Sequence, residues 1–333
     1  MRFPAEWEPH ERTLMGWPCR LELWGETLTQ ARADYATVAN AIAEFEPVTM
    51  IANPGREADQ ARAACSALVQ VLELPIDDSW LRDSGPIYVT DDFGERLAVH
   101  FGFNAWGEKF APWDRDADVG RLVALALGDR VREAPMILEG GSVHSDGEGT
   151  ILTTEQCLLN PNRNPRMSRE QIELTLADQL GAERTVWLGN GLIEDRDTDG
   201  HVDLIAAFTP NGGVLLQTVP DDNPNYADCE ENRERLQAAG LAVRELPFLP
   251  YVEVAGERVA AGYMNFYVCN DAVIVPVTDA ETDADALALI AAAYPGWEVV
   301  AVPGAVLAYG GGGPHCITQQ VPTIVESGGV GVP

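Results

Sequence analysis

Positive charge is scarce in this 333-residue chain: 22 Lys and Arg stand against 52 Asp and Glu, a formal net charge of −30 at pH 7. Nucleic acids and anionic membranes both require basic patches, so neither is an expected partner. A cationic substrate is compatible, because an acidic surface attracts it over long range. General solubility or a high-salt habitat would account for the same charge. Paired cysteine motifs are also missing. Cys19, Cys65, Cys157, Cys229, Cys269 and Cys316 are unevenly spaced, with no C-x-x-C and no zinc-finger cluster. In a chain this long such thiols are expected to be reduced rather than joined in a disulfide framework. The five histidines (His10, His100, His144, His201, His315) show no H-E-x-x-H spacing. Asp197-Thr198-Asp199-Gly200 begins like a calcium loop but lacks the remaining ligand positions and the twelfth-position Glu, so no metal is expected. No apolar run approaches membrane-spanning length, and Met1–Glu6 has no apolar signal core, which points to a cytoplasmic chain.

What is present is a globular composition, 46% hydrophobic and 8% aromatic, sufficient for a large core. Residues 1–26 are rich in Trp, Pro and charge and show no clear period. Leu28, Ala31, Tyr35, Val38, Ile42 and Phe45 fall at helical spacing, and Pro47–Ala52 reads as a buried strand stopped by Asn53-Pro54-Gly55. A second helix over Glu57–Val69 and a strand near Val71–Leu74 follow. Ser168-Arg169-Glu170-Gln171 has the form of a capping box, and Gly181 should close the helix it opens. Further helices are expected from Tyr226 to Gly240 and from Thr282 to Tyr294. Strands are expected at Val186–Leu188, Val202–Phe208, Val214–Gln217, Val243–Leu246, Val273–Val275 and Val299–Val302. The alternation indicates an α/β protein, a single domain over residues 1–325, with a glycine-rich mobile tail at 326–333.

Four stretches carry candidate chemistry. Gly310-Gly311-Gly312-Gly313 precede Pro314-His315-Cys316-Ile317-Thr318-Gln319-Gln320, so the backbone can come close to a ligand beside a thiol. A loose loop with an inert buried cysteine is the alternative. In Trp80-Leu81-Arg82-Asp83-Ser84-Gly85-Pro86 the turn signal places Asp83 at a rim, beside an aromatic face that suits a planar cation. A surface Arg82–Asp83 ion pair is the bland reading. Ile137-Leu138-Glu139-Gly140-Gly141-Ser142 puts a carboxylate at a strand end, or else a solvated Glu at a glycine turn. If Val202–Phe208 is a strand, its period of two sets His201 and Asp203 on one face. Together these residues supply a nucleophilic thiol, a proton carrier and carboxylates for a cation. That set suits attack on a guanidinium carbon with loss of ammonia. The thiol needs an activating partner, and a bound cation can provide one.

These four motifs, in this order, resemble those of the agmatine deiminase family. It lies within the guanidino-group-modifying superfamily, which also contains bacterial-type peptidylarginine deiminases. Pro4-Ala5-Glu6-Trp7, Phe103-Asn104-Ala105-Trp106-Gly107, Leu158–Pro165 and Asn265-Phe266-Tyr267 agree, so the resemblance runs from about Pro4 to Pro322. It implies a pentein fold, a five-bladed pseudo-fivefold α/β propeller of ββαβ-type units. It implies Cys316 as nucleophile and His201 as general acid and base. Asp83, Glu139 and Asp203 would bind the guanidinium nitrogens, with Trp80 against the substrate and Asp197 and Gly313 near its tail. The implied reaction converts agmatine and water to N-carbamoylputrescine and ammonia, through a covalent S-alkylthiouronium and without a cofactor. Homo-oligomerisation is compatible with this reading. The chain departs from the family pattern at Gly313-Pro314, where Asn-Ile is usual, at Asp197 for Glu, and at Leu204 for Asn. All three touch the walls around the substrate's tail. Deimination of peptidyl arginine or another guanidine is the nearest alternative, and a catalytically idle polyamine binder is a more distant one.

Overall fold

The computed structural model describes residues 1–91 and 93–324; the expected tail at 326–333 lies outside the described residues. The chain is mixed α/β. Five sheets repeat one pairing pattern, in which a strand lies antiparallel to the next and that strand lies parallel to a third. Ile87–Thr90, Arg96–Gly102 and Arg130–Ile137 form one such sheet. His144–Ser145, Thr150–Thr154 and Arg184–Leu188 form the next. Ala206–Phe208, Gly213–Gln217 and Ala242–Leu246 make a third, and Tyr267–Cys269, Ala272–Val277 and Glu298–Pro303 a fourth. The remaining sheet has four strands, and its first partner comes from the far end of the chain. Thr318–Pro322 lies antiparallel to His10–Gly16, which continues in parallel to Val48–Ala52 and Val69–Glu73. A parallel pair needs a crossover, and helices such as Leu28–Ala43, Asp116–Ala126, Arg169–Leu180, Tyr226–Ala238 and Asp283–Ala293 supply it.

The helix and strand expectations hold where the signal is local. Leu28–Ala43 buries Ala31, Tyr35, Val38 and Ile42, the positions at helical spacing. Ser168 accepts from the Gln171 N–H while the Gln171 side chain accepts from the Ser168 N–H, and Gly181 ends the helix with φ 74°. The second helix is shorter than expected, Arg56–Ala64, because Cys65 is extended and the strand begins at Val69. Several elements carry no expectation from the sequence, among them the strands Ile87–Thr90, Arg96–Gly102, Thr150–Thr154 and Thr318–Pro322 and the helix Asp116–Ala126. His10–Gly16 is a strand inside the Trp- and Pro-rich start, paired on both sides. Tyr251–Val254 and Glu257–Ala260 form a hairpin whose turn has positive φ at Ala255 and Gly256. Hairpin turns of this kind favour Asn-Gly or Asp-Gly, and Ala-Gly hides the signal. No helix among the described residues is long and apolar enough to cross a membrane.

One expected strand is not one. Val202–Leu204 is a 3₁₀ turn, and the strand is confined to Ala206–Phe208. The cause is upstream: Asp199 and Gly200 both have positive φ. The Asp195 carboxylate accepts from the N–H groups of Thr198, Gly200 and His201, so these donors are committed locally. Replacing Ser168 by Ala should cost about 1 kcal/mol of stability, the usual value of an N-cap, with turnover unchanged. Chemical denaturation of both proteins, read beside an activity assay, checks this.

Candidate active site

Asp83 does not sit at a loop rim. Trp80 carbonyl accepts from the N–H groups of Asp83 and Ser84, and Leu81 carbonyl from Gly85, so Leu81–Ser84 closes into one buried helical turn. That turn is held against the C-terminal cysteine loop by the Arg82 N–H, which donates to the Cys316 carbonyl at 3.2 Å. Asp83 Oδ2 accepts from Trp106 Nε1 at 2.9 Å, and Oδ1 accepts from the Gly141 N–H at 3.0 Å. His201 Nδ1 lies 3.7 Å from the same Oδ1. His201 and Asp203 thus meet the site from a 3₁₀ turn rather than from one strand face.

Gly141 is the point on which these groups converge. A Cβ there would stand 2.6 Å from His201 Nδ1, 2.8 Å from Asp203 Oδ2 and 2.9 Å from Asp83 Oδ1. Only glycine leaves the three side chains this close to one backbone position. The Gly140-Gly141 pair therefore serves the approach of other side chains.

Cys316 is buried at the centre. Its Sγ lies 3.5 Å from Asp203 Oδ2, to which the thiol donates, and 3.1 Å from Asn265 Nδ2. Burial pushes the thiol well above its ordinary pKa, and the charges of Asp203 and Asp83 add to that, against hydrogen bonds from Gly313 and Asn265. Burial by itself would raise Asp203 as well. It is instead held low, first by a hydrogen bond from His315 Nδ1 at 2.8 Å and by that ring's charge, then by the charges of His201 and Arg82. His315 Nε2 in turn lies 2.7 Å from Glu6 Oε1, so its ring is clamped between two carboxylates. Burial and Arg82 would lower His315, but the two carboxylates outweigh them and raise it.

Glu139 occupies a different position from the one expected of a guanidinium ligand. It is fully buried, and its Oε1 accepts from Arg163 Nε at 2.6 Å, so the cation it holds belongs to the protein. Its Oε2 has no hydrogen-bond partner among the described residues, and neither ring nitrogen of His201 has one. Glu139, Cys157 and His201 each bring a potential ligand atom within 4.8 Å of the others. Arg163 already supplies positive charge to this carboxylate, which makes the cluster a poor cation site. Arg163 is fixed further by Asp199 and by the Thr198 carbonyl.

A cavity enclosing about 340 Å³ of empty space, part of it open to solvent, leads to Cys316 and Asp83 between Trp80, Trp106, Phe110, Leu23 and Asp197. Trp80 is braced by Trp24, the two rings stacked 5.9 Å apart at 21°. Gly312 allows the loop to pass Cys316 and Trp80, each within 3 Å of where a Cβ would be. Asp197 lines the cavity wall, and burial lifts its pKa, reinforced by Asp195. Lys109, the sole lysine of the chain, ties this segment down by donating to the carbonyls of Arg196 and Asp197 and to Asp199. Gly313 faces Asn265 rather than the cavity. Glu6, Trp106, Arg163, Asn265 and His315 carry no role in the sequence reading, although each falls in a stretch that matched the family pattern.

The family model for Porphyromonas-type peptidyl-arginine deiminase matches residues 2–322. The chain is 42% identical to the agmatine deiminase of Pseudomonas aeruginosa (strain LESB58), over 96% of its own length and 95% of the relative's. It is similar in structure to the agmatine deiminase of Enterococcus faecalis, with a TM-score of 0.92 and 34% identity, covering 97% of this chain and 96% of that one. An agmatine deiminase variant from C. jejuni with substrate bound gives a TM-score of 0.90 at 28% identity, with 97% of each chain covered.

Asp83 sets a pH dependence. Burial raises its pKa to about 6, His201 opposes this, and Asp203 and Glu139 reinforce it. An unfolded aspartate titrates near ~3.9, so the folded state keeps the proton between those values, and any stability from it is lost as pH rises through about 6. A guanidinium cation seated against Asp83 would compete with that proton. Its affinity for this cavity should fall below about pH 6, approaching tenfold per pH unit. KM measured against pH for a small guanidine checks this, and Asp83→Asn should flatten the dependence while weakening binding.

Proposed function

Because this chain belongs to the Porphyromonas-type peptidyl-arginine deiminase family, we propose that its cavity takes up agmatine and hydrolyses the guanidinium group to N-carbamoylputrescine and ammonia. The observation that carries this reading is the buried thiol of Cys316 against Asp203, in a cavity also lined by Asp83, with His201 and both carboxylates converging at Gly141. A guanidinium held by Asp83 and Asp203 offsets their charge and brings its carbon to the sulfur. It also removes much of the electrostatic cost of the thiolate, so the substrate assists its own attack.

Cys316 gives its thiol proton to His201 as Sγ forms a bond to the guanidinium carbon. The bond from that carbon to one terminal nitrogen breaks, His201 supplies the proton, and ammonia departs to leave an S-alkylthiouronium. Water adds to the same carbon with His201 accepting its proton. The carbon–sulfur bond breaks, the departing thiolate takes up the hydroxyl proton, and the ureido product is released. Glu139, matched by Arg163, holds His201 in place in this scheme, and Trp80 packs over the flat cation.

The tail assignment is supported by charge. Arginine's carboxylate would call for a cation at the cavity wall, whereas Asp197 stands there, suited to a primary amine. Arg82 is engaged by Gln320 and the His315 carbonyl, Arg163 by Glu139 and Asp199, and Arg20 by Asp78. The five similarly paired sheets, with the last strand joined to the first, support reading the chain as one pentein domain over residues 1–325. Six unpaired cysteines are in keeping with a cytoplasmic setting.

A panel of agmatine, arginine and an arginyl peptide, with ammonia and the ureido product read by mass spectrometry, tests the substrate. Agmatine should be turned over far faster, and preference for the peptide would overturn the assignment. Cys316→Ala should abolish ammonia release. His201→Asn should retain agmatine binding while its turnover falls by about 10² to 10⁴-fold. Asp203→Asn should raise KM, and unchanged kinetics would remove Asp203 from the site.

A further inference from the structure

Asn265 ends the 3₁₀ turn Tyr263–Asn265 and is buried. Its neighbours Tyr263, Met264 and Phe266 anchor that turn in a core cluster away from the glycine loop. From this fixed point it grips the cysteine loop three times. Its backbone carbonyl accepts from the His315 N–H at 3.1 Å, and its Oδ1 accepts from the Cys316 N–H at 3.2 Å. Its Nδ2 stands 3.1 Å from Cys316 Sγ. The backbone bond settles the orientation of the carboxamide. A peptide N–H can only donate, so the atom facing it must be the oxygen, and the NH₂ is left facing sulfur. Gly313 makes the approach feasible, since a Cβ there would lie 2.8 Å from Asn265 Oδ1.

The sulfur therefore sits between an acceptor and a donor. Asp203 Oδ2 at 3.5 Å favours the protonated thiol, and Asn265 Nδ2 favours the thiolate. Among the described residues, Asn265 is the one side chain whose N–H is directed at Sγ. We propose that Asn265 is a catalytic residue that donates a hydrogen bond to the Cys316 thiolate and aims it at the substrate carbon. The inference rests on Cys316 as the attacking group. A hydrogen bond to a charged acceptor is about twice as strong as a neutral one, so the donor stabilises the thiolate more than the thiol. It acts when the sulfur is released from Asp203, and again when the thiolate leaves the intermediate. Among the described residues no hydrogen bond joins Asn265 to Asp83 or Asp203, and its side chain contacts the sulfur and the Cys316 N–H, so its effect should appear in kcat rather than in KM.

Asn265→Asp tests this with almost no change of shape. One oxygen can still take the Cys316 N–H, while the other turns a donor toward sulfur into an acceptor. The rate of iodoacetamide labelling of the Cys316 peptide, followed by mass spectrometry across pH, should drop at least about tenfold at neutral pH. Its titration should move to higher pH, and kcat for agmatine should fall with KM changed less than about threefold. Asn265→Ala, which removes the donor without adding charge, should shift the same curve by a smaller amount, and thermal melts confirm that each variant is folded. If Asn265→Asp does not fold, the alanine variant alone decides. A labelling curve that superimposes on that of the unmodified protein overturns the proposal. Ammonia release surviving in Cys316→Ala would instead overturn the nucleophile on which it rests, so the two failures are separable.

Discussion

The structure depends on packing several buried carboxylates around one thiol. Repulsion and burial both work against it. The protein answers with fixed partners at each acid. Asp203 has His315, itself braced by Glu6. Glu139 has Arg163, which is held in turn by Asp199. Asp83 accepts hydrogen bonds only from neutral donors, Trp106 and the Gly141 N–H, with His201 3.7 Å away, and its pKa rises to about 6. Of these three acids the least compensated, Asp83, lines the cavity, where a cation would complete the set.

That arrangement explains why the chain brings such distant segments together. The one-turn helix of Asp83, the glycine pair at Gly140-Gly141, the 3₁₀ turns of Asp203 and Asn265 and the loop of Cys316 all end at the same point. Most of them are short, irregular elements between sheets rather than the sheets themselves. The regular strands and helices set the distances, and the connecting turns carry the chemistry.

How much of this was legible follows from the range of each interaction. The capping box at Ser168 and the helix over Leu28–Ala43 are local, and the sequence reveals both. Cys316, His201, Asp83 and Asp203 were recognisable as a set because the order of their motifs carries information that no single motif does. The partner of Glu139 was not, since an acid before two glycines gives no hint that Arg163 will neutralise it. His201 and Asp203 belong together, but the strand alternation that first paired them is absent. Asp195 and the positive φ at Asp199 and Gly200 bend the chain before a strand can start. The pairing pattern of the five sheets is likewise invisible in sequence, because only backbone pairing recurs. The strands Thr150–Thr154 and Gly213–Gln217, for example, share the pattern and almost no residues.

The proposed reaction turns on a covalent bond at one sulfur. Rapid acid quenching of the enzyme during turnover of saturating agmatine, followed by peptide mass spectrometry, addresses that bond directly. The account predicts an adduct on the Cys316 peptide with the mass of agmatine less ammonia, appearing with the first turnover and disappearing as substrate is exhausted. Steady product formation with the Cys316 peptide unmodified at every quench time, or with the adduct on another cysteine, would contradict it.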